Sequence, residues 1–512
     1  MLHKLLKFIS SRLFWAILAI FVQIAFIVLL IIYLGDFSVS FTLYSAFATV
    51  LAMIIFCRDD APEYRMSWML VVLTIPLLGG ILYLLFGNKK QGRKEARIRN
   101  MYKENALKGW MDVPGCSVDV ESLENPDDRN LAKYIQNHSN ALVYSNSEVT
   151  YFPQSDRAYL PLLEELEKAQ SFIFMEFFIY DNGVLLESVM DILKRKASQG
   201  VKVCLMYDDI GCSFTLRGGY DNALRKLGIQ AVCFNPIKPR MNPRLNYRDH
   251  RKMCIIDGNV AISGGLNMAD EYINKKIRFG HWKDNTFVIR GAGVWNCTLM
   301  FIALWNFAAP EKFRIEDPEK YAPTVRYRRS AGMIQSYGDS PLDDDRVAEN
   351  AYLTIINNAN DYVWITTPYL ILDSVMQNAL ILAAKSGVDV RIITPSIPDK
   401  KIVFEVTESN YYRLVENGVK IYEYRPGFIH SKMFVSDDKR AILGTTNMDF
   451  RSFFLHFECA TVFYGGRTVR DVKSDFLKTF ELCEQVPADY RKRVGIPRRM
   501  FRGVVRAIAP ML

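Results

Sequence analysis

The sequence predicts an α/β protein in which N-terminal transmembrane helices are followed by two copies of one α/β unit. Three observations predict this fold class. The apolar residues are concentrated in the first 90 positions, two strand-like segments recur 187 and 190 positions apart, and each copy carries the same histidine- and lysine-containing element. Half of the 512 residues are hydrophobic, which excludes a disordered chain and requires more than one domain.

Three apolar runs near the N-terminus are candidates for membrane spans. They cover residues 13–34, 39–57 and 67–87, and a bilayer core about 30 Å thick needs roughly 20 residues in a helix. A cleaved signal peptide is the alternative for the first run. Its apolar stretch is too long and no small-residue cleavage site follows, so we expect a retained anchor. The middle run contains four serines and threonines and is the weakest candidate.

Basic residues are clustered beside the third run and at the C-terminus. Six lysines and arginines lie within residues 89–99, and seven within 491–506 are interspersed with apolar residues. Both clusters suit an anionic membrane surface; stop-transfer charge and a solvated helix face are the alternatives. Because dense positive charge stays on the cytoplasmic side, we expect a cell-membrane protein with a cytoplasmic catalytic domain. Either the N-terminus is then outside or, as we favour, run 39–57 does not cross.

The nine cysteines have scattered spacings and include no CxxC pair. Neither a disulfide framework nor a structural zinc site is therefore indicated. Cys204, Cys233 and Cys254 fall in apolar strand-like segments, where a free thiol behaves as a small hydrophobe. We expect a reducing compartment, no metal and no cofactor.

Beyond residue 110 the chain repeats itself. GVKVCLMYD from Gly200 resembles GVDVRIITP from Gly387, and GIQAVCFNP from Gly228 is matched by GVKIYEYRP from Gly418. These β-branched segments alternate with helix-like stretches, which predicts a parallel or mixed sheet covered by helices. We predict an anchor at 1–100, the two copies at 101–330 and 331–490, joined through residues 310–341, and a basic amphipathic tail at 491–512.

The repeated element predicts a site for a phosphodiester. HRKMCIIDGN begins at His250 and HSKMFVSDDK at His430, and an asparagine follows each copy beyond a glycine-containing bend, at Asn267 and Asn447. Lysine and asparagine donors suit phosphate oxygens. One imidazole can attack phosphorus while a second protonates the leaving oxygen. Two facing copies would supply both imidazoles to one pseudo-two-fold site.

Two other interpretations of this pattern are weaker. A single His-x-Lys-x4-Asp is usually an exposed strand end, but two complete copies are hard to produce by chance. Metal ligation by histidine and aspartate is opposed by the ammonium group two residues from each histidine.

The motifs resemble those of the phospholipase D superfamily, whose signature is His-x-Lys-x4-Asp followed by Gly-x-x-Asn. NYRDHRKMCIIDG, GGLNMADEY, HWKDNTFVIRG, MEFFIYDNG, TTPYL and GTTNMDFRSF are similar to segments of the bacterial cardiolipin synthases. The resemblance implies two duplicated phospholipase D-type α/β sandwich domains. It also implies transfer of a phosphatidyl group between two phosphatidylglycerol molecules in an anionic membrane, through a phosphatidyl-histidine, with no nucleic-acid partner. The oligomeric state is left open.

The same resemblance implies roles for the motif residues. His250 is expected to be the nucleophile, and His430 the general acid and then the base. The expected phosphate-binding residues are Lys252, Lys432, Asn267 and Asn447. Asp257 and Asp437 are expected to act at longer range, either on the opposite histidine or on the local fold.

Two further positions carry weaker expectations. Glu176 in MEFFIYD is expected either to orient a histidine or to form an ion pair. His456 stands where relatives often have asparagine; it lies outside both motifs, and we expect a structural role. The alternatives to synthesis are a phospholipase D-type hydrolase and a non-catalytic membrane scaffold.

Overall fold

A computed structural model describes residues 25, 37–87, 116–236, 247–325, 327, 332–342 and 345–511. The chain forms two compact units. The smaller unit comprises Met1–Lys90, Ile237–Asn246 and Gly503–Leu512, and the larger unit comprises Gln91–Pro236 and Tyr247–Arg502. Apart from residue 25, the first apolar run lies outside the described residues.

The described part of the smaller unit is helical. Its helices are Phe37–Phe56, Pro62–Thr74, Pro76–Leu82 and a π-helical turn at Tyr83–Gly87. Pro76 interrupts the third apolar run, because proline lacks an N–H and disfavours helical geometry in the preceding residue. Trp68 packs edge-on against Tyr83 at 5.4 Å between ring centroids. None of the helices that the structure describes combines the length and apolarity needed to cross a membrane.

The larger unit is built from strands in two main sheets and a small two-stranded one. The strands are β1 (Ser117–Val118), β2 (Val143–Tyr144), β3 (Ser147–Phe152), β4 (Phe172–Phe177), β5 (Lys202–Asp208), β6 (Gln230–Phe234), β7 (Arg248–Asp249), β8 (Lys252–Ile256), β9 (Val260–Gly264), β10 (His281–Lys283), β11 (Thr286–Gly291), β12 (Met333–Asp339), β13 (Tyr362–Thr366), β14 (Asp389–Pro395), β15 (Lys420–Tyr424), β16 (Gly427–Ile429), β17 (Met433–Ser436), β18 (Arg440–Gly444), β19 (His456–Tyr464) and β20 (Cys483–Gln485).

Helices pack on both faces of these sheets, and Val294–Ala308 and Gly466–Phe480 contribute to the apolar cluster between them. In chain order they are Pro126–Ser139, Tyr159–Lys168, Val184–Ser198, Tyr220–Arg225, Val294–Ala308, Val347–Asn357, Ser374–Lys385, Lys401–Glu416, Phe450–Phe454, Gly466–Phe480, Tyr490–Arg493 and Ile496–Ala507, the last of which continues into the smaller unit.

The two main sheets have the same strand order, which confirms the predicted duplication. The first sheet runs β3-β11-β9-β8-β4-β5-β6, and the second contains the series β12-β19-β18-β17-β13-β14-β15. In each series the last three strands are parallel and the motif strand, β8 or β17, is antiparallel to its neighbours. The recurring segments recognised in the sequence are β5 with β14 and β6 with β15.

The apolar residues form one cluster between the two sheets and one on the outer face of each. Phe172 and Phe174 of β4 join the central cluster, whereas Ile173 and Met175 join the outer cluster. This division follows from the two-residue side-chain period of a strand. Since both faces are covered, β4 is buried throughout.

The sheet membership of residues 117–144 differs from the predicted division of the chain. These residues fall within the range 101–330 predicted for the first copy, yet β1 and β2 extend the second sheet through β12. Asp128, in the helix between them, forms a 2.7 Å ion pair with Arg440 of β18. The predicted connection 310–341 likewise contains β12, a strand of the second sheet.

The arginines of the C-terminal tail are partly engaged by the larger unit. Arg502 is fully buried and its Nε lies 2.7 Å from a carboxylate oxygen of Glu405. Arg498 contacts Glu405 at 2.8 Å and Glu408 at 3.0 Å. At least two of the predicted surface arginines therefore attach the tail to the helix Lys401–Glu416.

Candidate active site

The first motif lies at the carboxyl end of β4. Lys252, the first residue of β8, is paired with Phe177, the last residue of β4. His250 precedes it and is only 8% exposed. The backbone N–H of His250 donates to the carbonyl of Phe457 in β19 at 2.9 Å, so the histidine is attached to the second half of the unit.

The second motif has the equivalent arrangement in the other half. Met433, which opens β17, is paired with Thr366 at the end of β13. His430 is 7% exposed, and its backbone N–H donates to the carbonyl of Lys283 at 2.7 Å. Each motif histidine therefore bonds to a strand of the opposite half, which brings the two motifs to one site.

A carboxylate from the opposite half holds each imidazole. His250 Nδ1 lies 2.9 Å from Glu458 Oε1, and His430 Nδ1 lies 2.6 Å from Asp284 Oδ2. Both carboxylates are inaccessible to solvent. A carboxylate accepts the Nδ1–H and so fixes the tautomer in which Nε2 carries a free lone pair.

Sequence reasoning missed both of these acids. Asp284 appeared only within the segment HWKDNTFVIRG, with no role assigned to it, and Glu458 was not considered. The available signal was a lone carboxylate in a strand-like apolar context, as in HFECATVFY from His456. A buried acid of this kind needs a partner, although the sequence does not identify it.

Each motif lysine bonds to the histidine two residues before it. Lys252 Nζ donates to the carbonyl of His250 at 2.6 Å, and Lys432 Nζ donates to that of His430. Burial lowers the pKa of Lys252 to about 8 and that of Lys432 to about 7. An ammonium group has three N–H donors, so each lysine can also bind a phosphate oxygen.

The surroundings of both imidazoles favour the neutral form. Burial, reinforced by the charges of Lys252 and Lys432, lowers the pKa of His250 well below its usual value. Burial and the charge of Lys432 lower the pKa of His430 to about 4, against the opposing effect of Asp284. Burial alone would raise the pKa of Asp284, but the charge and hydrogen bond of His430 hold it below its usual range.

The predicted asparagines lie beside this arrangement but have different partners. Asn267 Oδ1 accepts the backbone N–H of Ile179 at 3.1 Å, and its Nδ2 donates to the hydroxyl of Tyr272 at 2.6 Å. The Tyr272 ring packs against His430 at 5.3 Å between centroids. Asn447 is anchored through its backbone N–H, which donates to Ser452 Oγ at 3.2 Å.

The two motif aspartates are structural residues of the turns. Asp257 accepts the backbone N–H groups of residues 170, 171 and 172, each at 2.8 Å. Asp437 accepts those of residues 360, 361 and 362 at 2.8–3.0 Å. Both have positive φ, 51° and 53°, which aspartate tolerates better than most residues. Of the two roles left open for them, these contacts correspond to the local fold.

Glu176 is fully buried but does not orient a motif histidine, since Glu458 and Asp284 occupy both Nδ1 positions. Burial and the neighbouring Asp249 raise the pKa of Glu176 well above its usual value, while Arg251 acts in the opposite direction. Of the two roles expected for Glu176, orientation of a histidine or an ion pair, the contacts of the motif histidines do not include the first. Its neighbours are Asp249 and Arg251, the residues flanking His250 in the chain.

His456 lies closer to the chemistry than its position in the sequence suggested. Its ring centroid is 5.5 Å from that of His250, and its Nδ1 is 3.7 Å from Glu458 Oε1. Burial lowers the pKa of His456 to about 4. This neutral imidazole packs beside the pair formed by His250 and Glu458.

His250, His456 and Glu458 also offer three ligand atoms within 4.8 Å of one another. Two imidazoles and a carboxylate form a donor set that zinc accepts. The charges of Lys252 and Lys432, both of which depress the pKa of His250, would repel a divalent cation at this position. The set is therefore better suited to hold a proton between Glu458 and an imidazole than to hold a metal ion.

Family comparisons agree with this geometry. Residues 162–279 and 352–480 match the family described as cardiolipin synthase, PLD-like domain. Residues 46–88 match a family described as phospholipase D-nuclease N-terminal. The two PLD-like matches cover the β4–β6 and β13–β15 regions of the duplicated unit.

Individual proteins are similar over most of the chain. An uncharacterized protein of Streptococcus mutans is 40% identical over 450 residues, which cover 87% of this chain and 96% of that protein. A cardiolipin synthase of Geobacillus kaustophilus is 32% identical over 480 residues, which cover 94% of each chain. The crystal structure of phosphatidylserine synthase from Haemophilus influenzae matches with a TM-score of 0.57 at 14% identity, covering 74% of this chain and 99% of that one.

The duplicated sheets and the paired histidines define a phospholipase D-type protein with one site made by two halves. The length and level of the sequence similarity specify it further. The chain belongs to the bacterial cardiolipin synthase family of the phospholipase D superfamily.

Proposed function

We propose that this protein is a membrane-bound phosphatidyltransferase that makes cardiolipin and glycerol from two molecules of phosphatidylglycerol. The observation that carries the proposal is the pair of motif histidines at one site. Each histidine is hydrogen-bonded to a carboxylate of the opposite half. A phosphodiester exchange needs a nucleophile and an acid on opposite sides of one phosphorus atom. Two copies of one motif supply these groups in equivalent surroundings.

In the first step His250 Nε2 attacks the phosphorus of one phosphatidylglycerol. A P–N bond forms, the P–O bond to the headgroup glycerol breaks, and His430 gives its proton to the leaving oxygen. The bond from His250 Nδ1 to Glu458 stabilises the positive charge that develops on the attacking ring. His430 becomes a suitable acid on substrate binding, because the anionic phosphodiester raises the pKa of the imidazole.

In the second step a headgroup hydroxyl of another phosphatidylglycerol attacks the phosphatidyl-histidine. His430, now neutral, accepts the hydroxyl proton while the new P–O bond forms and the P–N bond breaks. Cardiolipin leaves, His250 is regenerated and His430 is again protonated. The step uses no other reactant, so atoms and protons balance over the cycle.

Lys252 and Lys432 bind the non-bridging phosphate oxygens in this mechanism, with Asn267 and Asn447 as further donors. Their placement beside the histidines supports the assignment. Burial lowers the pKa of both lysines, and a bound phosphate anion would stabilise their ammonium forms. The lowered pKa values are therefore consistent with lysines that bind phosphate. The asparagine contribution is smaller, since both polar groups of the Asn267 side chain already have protein partners.

The cell-membrane location and the domain division are part of the proposal. The N-terminal segment 1–100 attaches the chain to the cell membrane, and residues 101–330 and 331–490 form a cytoplasmic catalytic domain followed by the tail 491–512. The basic cluster at 89–99 supports this orientation. A phosphatidyl donor lipid in the same membrane then needs no soluble carrier.

The decisive experiment supplies purified protein with phosphatidylglycerol and measures all lipid products. Cardiolipin and free glycerol in equal amounts are expected. Phosphatidic acid as the dominant product would instead establish hydrolysis, because water would then be the second nucleophile. A non-catalytic scaffold would yield neither product, and His430→Ala would leave cellular cardiolipin unchanged in a strain without other synthases.

A further inference from the structure

Two large apolar side chains of the first half project into solvent. Phe214, in the segment after β5, is 99% exposed, and Ile277, in the segment before β10, is 81% exposed. Most exposed apolar side chains are partly covered by their neighbours, and contiguous uncovered ones mark interaction sites. Neither side chain contributes to the apolar clusters of the larger unit.

The segment that carries Phe214 is attached close to His250. Thr215 Oγ1 donates to the carbonyl of Tyr180 at 2.6 Å, and the backbone N–H of Tyr180 contacts Cys212 Sγ at 3.2 Å. Two residues before Tyr180, the ring of Phe178 packs edge-on against His250 at 5.1 Å. Phe214 is thus carried by a segment whose base lies near the proposed nucleophile.

The segment that carries Ile277 is attached in a similar way near His430. Lys276 Nζ lies 3.3 Å from Asp181 Oδ2, on the chain segment that follows Tyr180. Tyr272, at the start of the Ile277 segment, contacts the ring of His430. Both apolar side chains therefore belong to segments that border the same site.

The second half adds Ile397, in the segment after β14, and Ile402, in the first turn of the helix Lys401–Glu416. Ile397 and Ile402 are 40% and 55% exposed. Ile397 Cδ1 would lie 3.4 Å from a Cβ built on Gly280, which places it beside the segment of Ile277. Phe214, Ile277, Ile397 and Ile402 together form what we call the catalytic rim.

Basic side chains surround the catalytic rim, and they are more numerous than the acidic side chains that pair with them. The exposed basic residues of these segments are Arg217, Lys275, Lys276, Arg278, Lys400 and Lys401. Lys276 is paired with Asp181, Lys400 with Asp399, and Arg278 with Glu271 at 4.0 Å. Lys275 and Lys401 form no ion pair with any residue that the structure describes, so the rim carries uncompensated positive charge.

We propose that the catalytic rim inserts into the surface of an anionic lipid bilayer, so that phosphatidylglycerol reaches the histidines directly from the membrane. The inference rests on the proposed function, because it gives the site a lipid substrate. Exposed apolar groups ringed by lysine and arginine are the composition that binds such a surface. A protein partner would not require this excess of one charge, and the lipid surface supplies many phosphate groups at once.

The first test detects insertion without using activity. The full-length Phe214→Trp variant is reconstituted in vesicles of phosphatidylglycerol, with and without brominated acyl chains. Leu382→Trp is the matched control: Leu382 is 64% exposed, but it lies in the last turn of the helix before β14, at the opposite end of the strand from the rim. We expect bromolipid to quench the added emission of the Phe214 variant and not that of the control. Equal emission of the Phe214 variant with both lipids would overturn the proposal, as would its quenching by an aqueous quencher alone.

The second test separates the rim from the chemistry. Phe214→Ser combined with Ile277→Ser should lower the rate on phosphatidylglycerol vesicles at least about tenfold and leave the rate on monomeric short-chain phosphatidylglycerol unchanged. Leu382→Ser should change neither rate. An equal loss on both substrates, or no loss on vesicles, would refute insertion. Failure of the unmodified protein to make cardiolipin from either substrate would refute the proposed function and leave the quenching result intact.

The third test concerns the charges. Lys275→Gln combined with Lys401→Gln should reduce severalfold the preference of the protein for anionic over zwitterionic vesicles. Both lysines are exposed on the rim segments, and neither contacts the motif histidines or lysines. The short-chain substrate again serves as the control. An unchanged preference would show that the rim charges do not face lipid, and would count against the proposal.

Discussion

His430 Nδ1 and Asp284 Oδ2 are 2.6 Å apart, although the two residues belong to different halves of the duplicated unit. The corresponding pair, His250 and Glu458, crosses the interface in the other direction at 2.9 Å. Neither half alone therefore contains a motif histidine with its carboxylate. The site exists only when the two sheets have docked, which couples the chemistry to the packing of the central apolar cluster.

The first prediction concerns these carboxylates. Asp284→Asn and Glu458→Gln preserve the size of each side chain but remove the charge that fixes the imidazole tautomer. By analogy with the aspartate of a serine-protease triad, kcat should fall by up to about 10⁴-fold. Steady-state rates on phosphatidylglycerol, together with thermal unfolding, would measure the effect. A loss of activity that merely follows a loss of folded protein would contradict an orienting role.

The second prediction identifies the nucleophile. His430→Ala removes both the acid of the first step and the base of the second. With a phosphatidyl donor whose leaving group needs no protonation, such as a p-nitrophenyl ester, the phosphatidyl-histidine on His250 should still form and should break down slowly enough to be trapped. Acid quenching destroys phosphoramidates, and the adduct is therefore sought by peptide mass spectrometry after quenching under alkaline conditions. His250→Ala is the matched control and should give no adduct. A phosphatidyl group found on His430 in the second variant would reverse the assignment.

The sequence was sufficient to predict the duplication and the gathering of the motif histidines and lysines. Both recurrences are visible locally, because the repeated strands β5 and β14 and the motifs that begin at His250 and His430 each consist of residues that are adjacent in the chain. The partners of the histidines were not predictable in the same way. Asp284 and Glu458 reach them across an interface between segments more than 140 positions apart, for which single-sequence periodicity gives no register.

The same reason explains the altered sheet membership of residues 117–144. Strands β1 and β2 contain two residues each, too few for a detectable pattern. Their addition to the second sheet depends on pairing with β12, nearly 200 positions later. The role of His456 was also hidden, because contact with His250 arises only from the parallel pairing of β7 with β19.

A third prediction distinguishes the motif aspartates from the histidines. Asp257→Ala removes the acceptor of three backbone N–H groups and places alanine at positive φ, so it should destabilise the protein by about 2 kcal/mol. Asp257→Asn keeps one acceptor oxygen and tolerance of this φ, and should cost less. Chemical denaturation measures both. Under conditions where the variants are folded, kcat should stay within about tenfold of the unmodified value; a loss as large as that of His250→Ala would indicate a catalytic role.

The fourth prediction concerns orientation in the membrane. A cysteine introduced by Lys94→Cys should escape an impermeant thiol reagent in intact cells and react after permeabilisation, because the basic cluster is expected on the cytoplasmic side. Labelling is compared with that of the unaltered chain, whose Cys57 is also exposed. Strong labelling in intact cells would place the catalytic domain outside and overturn the proposed topology.

The last prediction is a basic limb in the pH dependence of kcat/KM. Burial lowers the pKa of Lys432 to about 7 and that of Lys252 to about 8, and the charged forms bind phosphate. Each lysine is protonated at pH values below its pKa and loses its positive charge as the pH rises through that pKa. The value of kcat/KM, which reports the free enzyme, already falls above the pKa of the acid His430, about 4, and should therefore fall more steeply between about pH 7 and pH 9, where the lysines also lose their charge. The corresponding decline of kcat lies at higher pH, because bound phosphate favours the ammonium form. Lys432→Arg introduces a cation that does not titrate in this range and should move the limb upward, with each profile normalised to its own maximum. A profile that stays flat to pH 9 in the unmodified enzyme, or one that Lys432→Arg leaves in place, would show that lysine ionisation does not limit lipid binding.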